Sequence, residues 1–283
     1  MKFHLRGHLA YQVDGPATVI SSLHAMRSAG QEISHESFLT SRPVRYGELE
    51  AGPGQNRFSR LSVDEPGDLT IDYSATAETS SGPVPRPLAE QSGPGSLSAD
   101  VIPYLFPSRY CQSDMLREEA ANRFPARGDI YGQVEAVVDW IAQNVDYLAG
   151  STEEQTSALE VLDRRCGVCR DFAHLAIAFC RALTIPARYT TVYAHRLDLP
   201  DFHACFEIHT GGSWYLFDAT SLAPLNGLVR ISVGRDASDA AVASLFGGIQ
   251  GIGLSAACDF VGENFIPIFR DDLRQAGHAF QLS

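Results

Sequence analysis

Along the first hundred residues, apolar and polar positions alternate in short runs divided by turn residues. Phe3-His4-Leu5-Arg6 alternates, and so does Leu9-Ala10-Tyr11-Gln12-Val13. A period of two marks a half-buried strand, because successive side chains point to opposite faces. Glu32 to Leu39, Arg57 to Val63 and Leu69 to Ala75 read as further strands. They are separated by Gly15-Pro16, Gly52-Pro53-Gly54 and Pro66-Gly67-Asp68. Short strands at this spacing predict a β-sandwich-like module. Ala17 to Ser28 is the exception and reads as a helix. Ser80 to Ser98, rich in Pro, Gly and Ser, holds too little apolar surface for a core and is the predicted linker. The expected division is a β-rich domain at 1–100 and a second domain at 101–283.

The second half changes period. Ser113 to Phe124 reads as one helix. Tyr131 to Asn144 is a clearer one, with Val134, Val137, Val138 and Ile141 at helical spacing. Thr156 to Arg164 and Cys169 to Leu183 follow, the latter stopped by Ile185-Pro186 because proline cannot continue a helix. The pattern then returns to period two at Arg188 to Ala194, His203 to His209 and Trp214 to Ala219. Leu228 to Val233 and Ala256 to Phe260 read as further strands. Helices before strands within one domain predict an α+β fold.

Composition narrows the function. Acidic residues outnumber basic ones, 34 to 22, for a formal charge of -12, and no basic stripe exists. A nucleic-acid backbone would be repelled, so no such partner is expected. No run of about 18 apolar residues is present, so no membrane span is expected. The start, Met1 to Tyr11, lacks the uninterrupted apolar stretch of a secretion signal. The expectation is a cytoplasmic protein with its six cysteines as free thiols.

Thr210-Gly211-Gly212-Ser213 joins two of the period-two runs, a hairpin signal. With Gly211-Gly212 as the loop, Thr210 faces Ser213, His209 faces Trp214, Cys205 faces Asp218 and His203 faces Thr220. His203, Cys205, Asp218 and Thr220 then share one face, with His203 and Asp218 as diagonal neighbours. A carboxylate beside an imidazole fixes its tautomer and leaves the other ring nitrogen to handle a nucleophile's proton. Cys169 is the nucleophile that this arrangement lacks. It follows Gly167-Val168 where a helix begins, and unpaired N–H groups with the helix dipole favour an anion there. The same N–H groups suit an oxyanion.

Four ordered motifs then carry a resemblance. Gly167-Val168-Cys169-Arg170-Asp171-Phe172-Ala173-His174-Leu175 resembles the nucleophile motif of bacterial transglutaminase-like proteins. Ile185-Pro186-Ala187-Arg188-Tyr189 is similar to the strand motif that follows it. Asp201-Phe202-His203-Ala204 is similar to the histidine motif, with Cys205 where the family often has Trp. Phe217-Asp218-Ala219-Thr220 is similar to the aspartate motif, with Ala219 in place of proline. Val233-Gly234-Arg235-Asp236 also resembles a segment of this group. The resemblance implies a papain-like core and a Cys169-His203-Asp218 triad. It also implies acyl chemistry through a thioester, on a peptide, protein or amide substrate, with no cofactor or metal. A side-chain donor to the oxyanion often lies upstream of the cysteine in this family, and Tyr147 stands near that place.

Other readings of the same residues lead elsewhere. Cys166-Gly167-Val168-Cys169 also fits half a zinc site, with Cys180, Cys205 or His209 as further ligands, or a redox pair. His174, five residues beyond Cys169, reads as structural, and Asp171 as a cap of the helix's first turn. His209 is expected at the solvated end of the hairpin, with Trp214 as a packing residue. Arg235 and Asp236 are candidates for a supporting ion pair. Between hydrolysis and acyl transfer to an amine only the acceptor differs, and a non-catalytic binding module is a further class.

Overall fold

The alternation at the start of the chain persists far enough to make one long strand, β1 (Lys2–Ser21). Phe3, Leu5, Leu9, Tyr11, Val13, Ala17 and Val19 are buried, while Lys2, His4, Arg6 and Gln12 are exposed. The computed structural model describes residues 1–51, 56–87, 93–126 and 129–282. The Gly52-Pro53-Gly54 turn and residues 88–92 of the linker candidate lie outside the described residues. After β1 come β2 (Gln31–Thr40), β3 (Arg45–Ala51), β4 (Asn56–Val63), β5 (Gly67–Thr79) and β6 (Gly82–Pro85). The helix expected over Ala17 to Ser28 is not formed. Ala17–Ser21 is held as strand by β4 on one side and by residues 243–247 on the other, and this pairing overrides the local pattern.

The remaining elements are α1 (Arg117–Arg123), α2 (Ile130–Asn144), β7 (Asp146–Tyr147), α3 (Ala158–Arg164), β8 (Cys166–Gly167) and α4 (Cys169–Ala182). They continue with β9 (Ala187–Ala194), β10 (His203–Thr210), β11 (Ser213–Phe217), β12 (Leu228–Gly234), α5 (Ala237–Ala240), β13 (Ala243–Phe260), α6 (Arg270–Ala276) and β14 (His278–Gln281). The helix expected over Ser113 to Phe124 is split: a 3-10 turn at Ser113–Leu116 leads into α1.

β1 to β5 form one antiparallel sheet in the order β2-β5-β1-β4-β3, and β13 pairs with β1 along nearly its whole length. The N-terminal sheet is thus completed by a strand from residues 243–260, and β14 pairs with β6. A cut near residue 100 would remove both partners, so the two halves of the chain are not self-contained units.

The second sheet, in the order β11-β10-β9-β12, is antiparallel. α4 packs on it through Phe172, Leu175, Ala176 and Phe179, while α2 and α3 cover the rest of the helix. Covered on all sides, α4 is buried from Asp171 to Arg181, its polar His174 and Arg181 included. The two sheets share a core in which Tyr193, Phe202, Val229 and Ile231 meet Phe3, Leu23 and Tyr73. β12 would be a bare edge, but side-chain amides stand in for a neighbouring strand. Asn56 donates to Val233 O at 2.7 Å and accepts from Val233 N at 2.9 Å. Gln31 likewise donates to Arg230 O and accepts from Arg230 N, both at 2.8 Å. Edge groups satisfied in this way offer no template for another strand.

Candidate active site

α4 starts at Cys169 because of the residues on either side of it. Gly167 lies in β8 and Val168 is extended, with φ -112° and ψ -179°. Asp171 turns Oδ2 back to accept the Val168 N–H at 3.0 Å. Fully buried, Asp171 also accepts from Thr152 Oγ1 at 2.5 Å and pairs with Arg170 at 3.0 Å. A Cβ on Gly167 would stand 2.8 Å from Asp171 Cβ, so glycine makes room for this capping carboxylate. Cys169 is left half-buried on the first residue of the helix, at its electropositive end. The cap is the role that the sequence suggested for Asp171. Thr152 was missed, because a loop residue 19 positions upstream leaves no periodic trace.

β7 and β8 pair in parallel, with Tyr147 opposite Gly167. This brings Tyr147 to the nucleophile: its hydroxyl lies against the Cys169 backbone N–H and its ring is 5.8 Å from Phe172. Burial, and then the Cys169 thiol, push the phenol above its ordinary value, so it keeps its proton.

The hairpin has the register expected from its Gly-Gly loop, from Thr210↔Ser213 to Phe206↔Phe217. β11 stops at Phe217, two residues before the expected end, so Asp218 is the first residue beyond the ladder. Asp218 Oδ2 is 2.9 Å from His203 Nε2. Oδ1 accepts from the Thr220 N–H at 2.8 Å and from Thr220 Oγ1 at 2.7 Å, a local turn that holds the carboxylate in place. His203 and Asp218 are 1% and 2% exposed, which shields their interaction from solvent screening.

Burial alone would push the His203 pKa down. The Asp218 charge and hydrogen bond, with Cys205 and Cys169 beside the ring, outweigh burial and raise it well above the ordinary imidazole value. Asp218 is its counterpart: burial pushes the carboxyl up, and His203 and Thr220 bring it below its usual value. The ring thus holds a proton toward Asp218, and the Cys169 and Cys205 side chains lie beside it.

Cys205 lies beside this pair, its thiol pushed up to about 12, first by burial and then by Asp218. Ligand atoms of His203, Cys205 and Asp218 lie within 4.8 Å of one another. Nε2 and both carboxylate oxygens are already engaged in protein hydrogen bonds, which suits a proton-handling dyad better than a metal site. Among the described residues, Cys166, Cys180 and His209 enter no such cluster, and all six cysteines are free thiols.

Glu207, on the same strand as His203, is fully buried. It ties β10 to Arg188 on β9 at 2.7 Å and to Arg230 on β12 at 2.5 Å. Several other residues lie elsewhere. Nε2 of buried His174 accepts the Ala237 N–H at 3.1 Å, its ring stacks on Tyr110, and burial lowers its pKa to about 3. His209 is half-buried against Trp214 rather than solvated. Trp214 packs on Tyr104 and under the Arg188 guanidinium. Arg235 and Asp236 do not pair with each other. Arg235 bonds Asp239 at 2.8 Å, while Asp236 caps α5 through Ser238 and accepts the Tyr110 N–H. The turn into α5 makes the i,i+4 partner the reachable one for Arg235.

Known proteins match the same regions. The model of the transglutaminase-like superfamily matches residues 119–219, and that of the bacterial transglutaminase N-terminal domain matches residues 1–84. A solved structure from Cytophaga hutchinsonii, provisionally described as a cysteine protease, is 44% identical with a TM-score of 0.96. The match covers 100% of this chain and 98% of that one. An uncharacterised protein of Mycobacterium leprae is 34% identical over 117 residues, which is 38% of this chain and 42% of that protein. An uncharacterised Mycobacterium bovis protein is 32% identical over 173 residues, covering 57% of this chain and 54% of its own. The chain spans about half the length of the curated relatives it matches.

Proposed function

The chain belongs to the transglutaminase-like superfamily, and we propose that it hydrolyses an amide or peptide bond through a thioester on Cys169. The observation that carries this reading is the buried 2.9 Å contact between His203 and Asp218, with Cys169, at the start of α4, beside the same ring. In this reading His203 takes the thiol proton and Cys169 Sγ attacks the substrate carbonyl. The Cys169 N–H and the Tyr147 hydroxyl face the resulting oxyanion. Collapse of this intermediate expels the amine, which takes a proton from His203. Water, activated by the now neutral imidazole, then releases the acid and frees the thiol. Asp218 keeps the ring in one tautomer and stabilises its charged form.

The substrate class is peptide, protein or amide, in keeping with a relative described as a cysteine protease. The test is a peptide and amide library turned over by wild type and by Cys169→Ala, with and without an added primary amine. Hydrolysis that vanishes in the variant, together with a thioester mass adduct on wild type, is the expected result. Wild-type turnover by Cys169→Ala would overturn the covalent mechanism. Amine incorporation faster than hydrolysis would move the assignment to acyl transfer.

A further inference from the structure

The loop between β9 and β10 reaches the mouth of the candidate site. Phe202 turns its ring into the core that the two sheets share, 5.4 Å from Tyr193. Asp201 and His203, on either side of it, face the other way. The Asp201 carboxylate acts on the His203 ring and also on the Tyr147 phenol. Its Oδ1 accepts the Phe202 N–H at 2.7 Å, and its own N–H donates to Leu199 O at 2.8 Å, a tight turn that fixes it there. Neighbouring cations are engaged elsewhere: Arg170 bonds Asp171 and Glu153 O, and Arg196 lies over the Phe265 ring. Among the described residues no lysine or arginine pairs with Asp201. Burial accordingly pushes its carboxyl above the usual value, and only the Phe202 N–H and His203 act in the other direction.

Apolar side chains border the same place. Leu199 is exposed two residues before Asp201. Leu148, also exposed, follows Tyr147, and its N–H donates at 2.9 Å to Gly167 O, two residues before Cys169. Leu222 is exposed beyond Thr220, whose Oγ1 accepts the Leu222 N–H at 3.3 Å. An anion between apolar walls exerts a stronger field than one in open water.

We infer that Asp201 selects the substrate by pairing with an ammonium or guanidinium group beside the scissile bond, so that the preferred substrate carries a basic residue there. This role rests on Cys169 being the nucleophile of the proposed hydrolysis, and it adds the charge of the group that the site accepts. A cationic substrate brings the counter-ion that the fold does not supply. The apolar rim suits the aliphatic stem of a Lys or Arg side chain.

The test labels Cys169 with methanethiosulfonates of similar size that carry a trimethylammonium, a neutral or a sulfonate group. It uses the full chain in a Cys166→Ala background at about 0.15 M salt, where charges beyond about 8 Å are screened. Rates are read by peptide mass spectrometry. The ratio of cationic to neutral rate cancels any change in the thiol itself. Asp201→Asn keeps an acceptor for the Phe202 N–H, so the turn should persist. The ratio should fall about 3- to 10-fold in this variant, the effect of one nearby charge in a partly desolvated cleft. Asp198→Asn removes the same charge from an exposed position in the same loop and should change the ratio less than about 2-fold. In a peptide library, Asp201→Asn should lower kcat/KM for substrates with Lys or Arg beside the bond more than for neutral ones, and Asp201→Arg should favour Asp or Glu there. The labelling needs no turnover, so a library without turnover would count against the hydrolase and leave the charge preference to stand or fall by itself. An unchanged ratio in Asp201→Asn, an equal shift in Asp198→Asn, or turnover without a preference for basic residues would each overturn the role of Asp201.

Discussion

Replacing Asp218 by Asn is nearly isosteric and tests the dyad most sharply. The Asn side-chain oxygen can still accept from Thr220 N and Oγ1, at 2.8 and 2.7 Å in the native turn, so the local fold should persist. The other arm changes character: an NH₂ group now faces His203 Nε2 where a carboxylate oxygen stood at 2.9 Å. An amide donor requires Nε2 to act as acceptor, which moves the ring proton to Nδ1, the nitrogen that would otherwise take the thiol proton. The anion that held the imidazolium is also gone, leaving burial to disfavour the charged ring. A change of this kind in a comparable triad costs about 10⁴ in kcat, or roughly 5.5 kcal/mol of transition-state stabilisation. The assay needs no known substrate. Iodoacetamide alkylation of Cys169 can be followed by peptide mass spectrometry across pH, since only the thiolate attacks. With the imidazolium no longer held by an anion, alkylation of Cys169 near neutral pH should be slower in the variant than in wild type. The alkaline limb of activity, set by His203 deprotonation, should move to lower pH. An unchanged alkylation profile, with a melting temperature within a few degrees of wild type, would refute the coupling of Asp218 through His203 to Cys169.

Tyr147→Phe should lower kcat by about 10- to 1,000-fold with KM little changed, because it removes one donor to the oxyanion and leaves the thiol in place; a loss confined to KM would make Tyr147 a substrate contact instead. Buried His174 makes stability depend on pH. Its folded value of about 3 lies below the unfolded value near 6.5, so as pH falls through that window the unfolded state gains a proton that the native state refuses. The native state should lose roughly 2–3 kcal/mol between about pH 6.5 and pH 4.5 from this group alone. His174→Gln keeps an acceptor for the Ala237 N–H and should flatten that dependence in urea titrations; an equally steep loss in the variant would put the titration elsewhere.

Period and turn chemistry in the sequence determined the parts of this protein that are local in the chain. The Gly211-Gly212 loop sets the β10–β11 register, because a two-residue turn leaves only one way to count outward, and that register puts His203 and Asp218 in reach of each other. Helical spacing located α2 and α4, and Gly167-Val168 marked the start of the helix at Cys169. Tertiary structure alone decided what pairs across long separations. Ala17–Ser21 is strand rather than helix because β4 and β13 flank it, and β13 lies more than 200 residues away in the chain. The glycine-rich run from Gly247 to Gly253 has little period of its own, so only its fit beside β1 makes it a strand. Thr152 reaches Asp171, and Arg235 turns to Asp239 instead of Asp236, because packing sets which polar groups can meet. Local backbone preference is written in neighbouring residues, whereas the pairing of distant strands and buried charges depends on which surfaces the folded chain brings together.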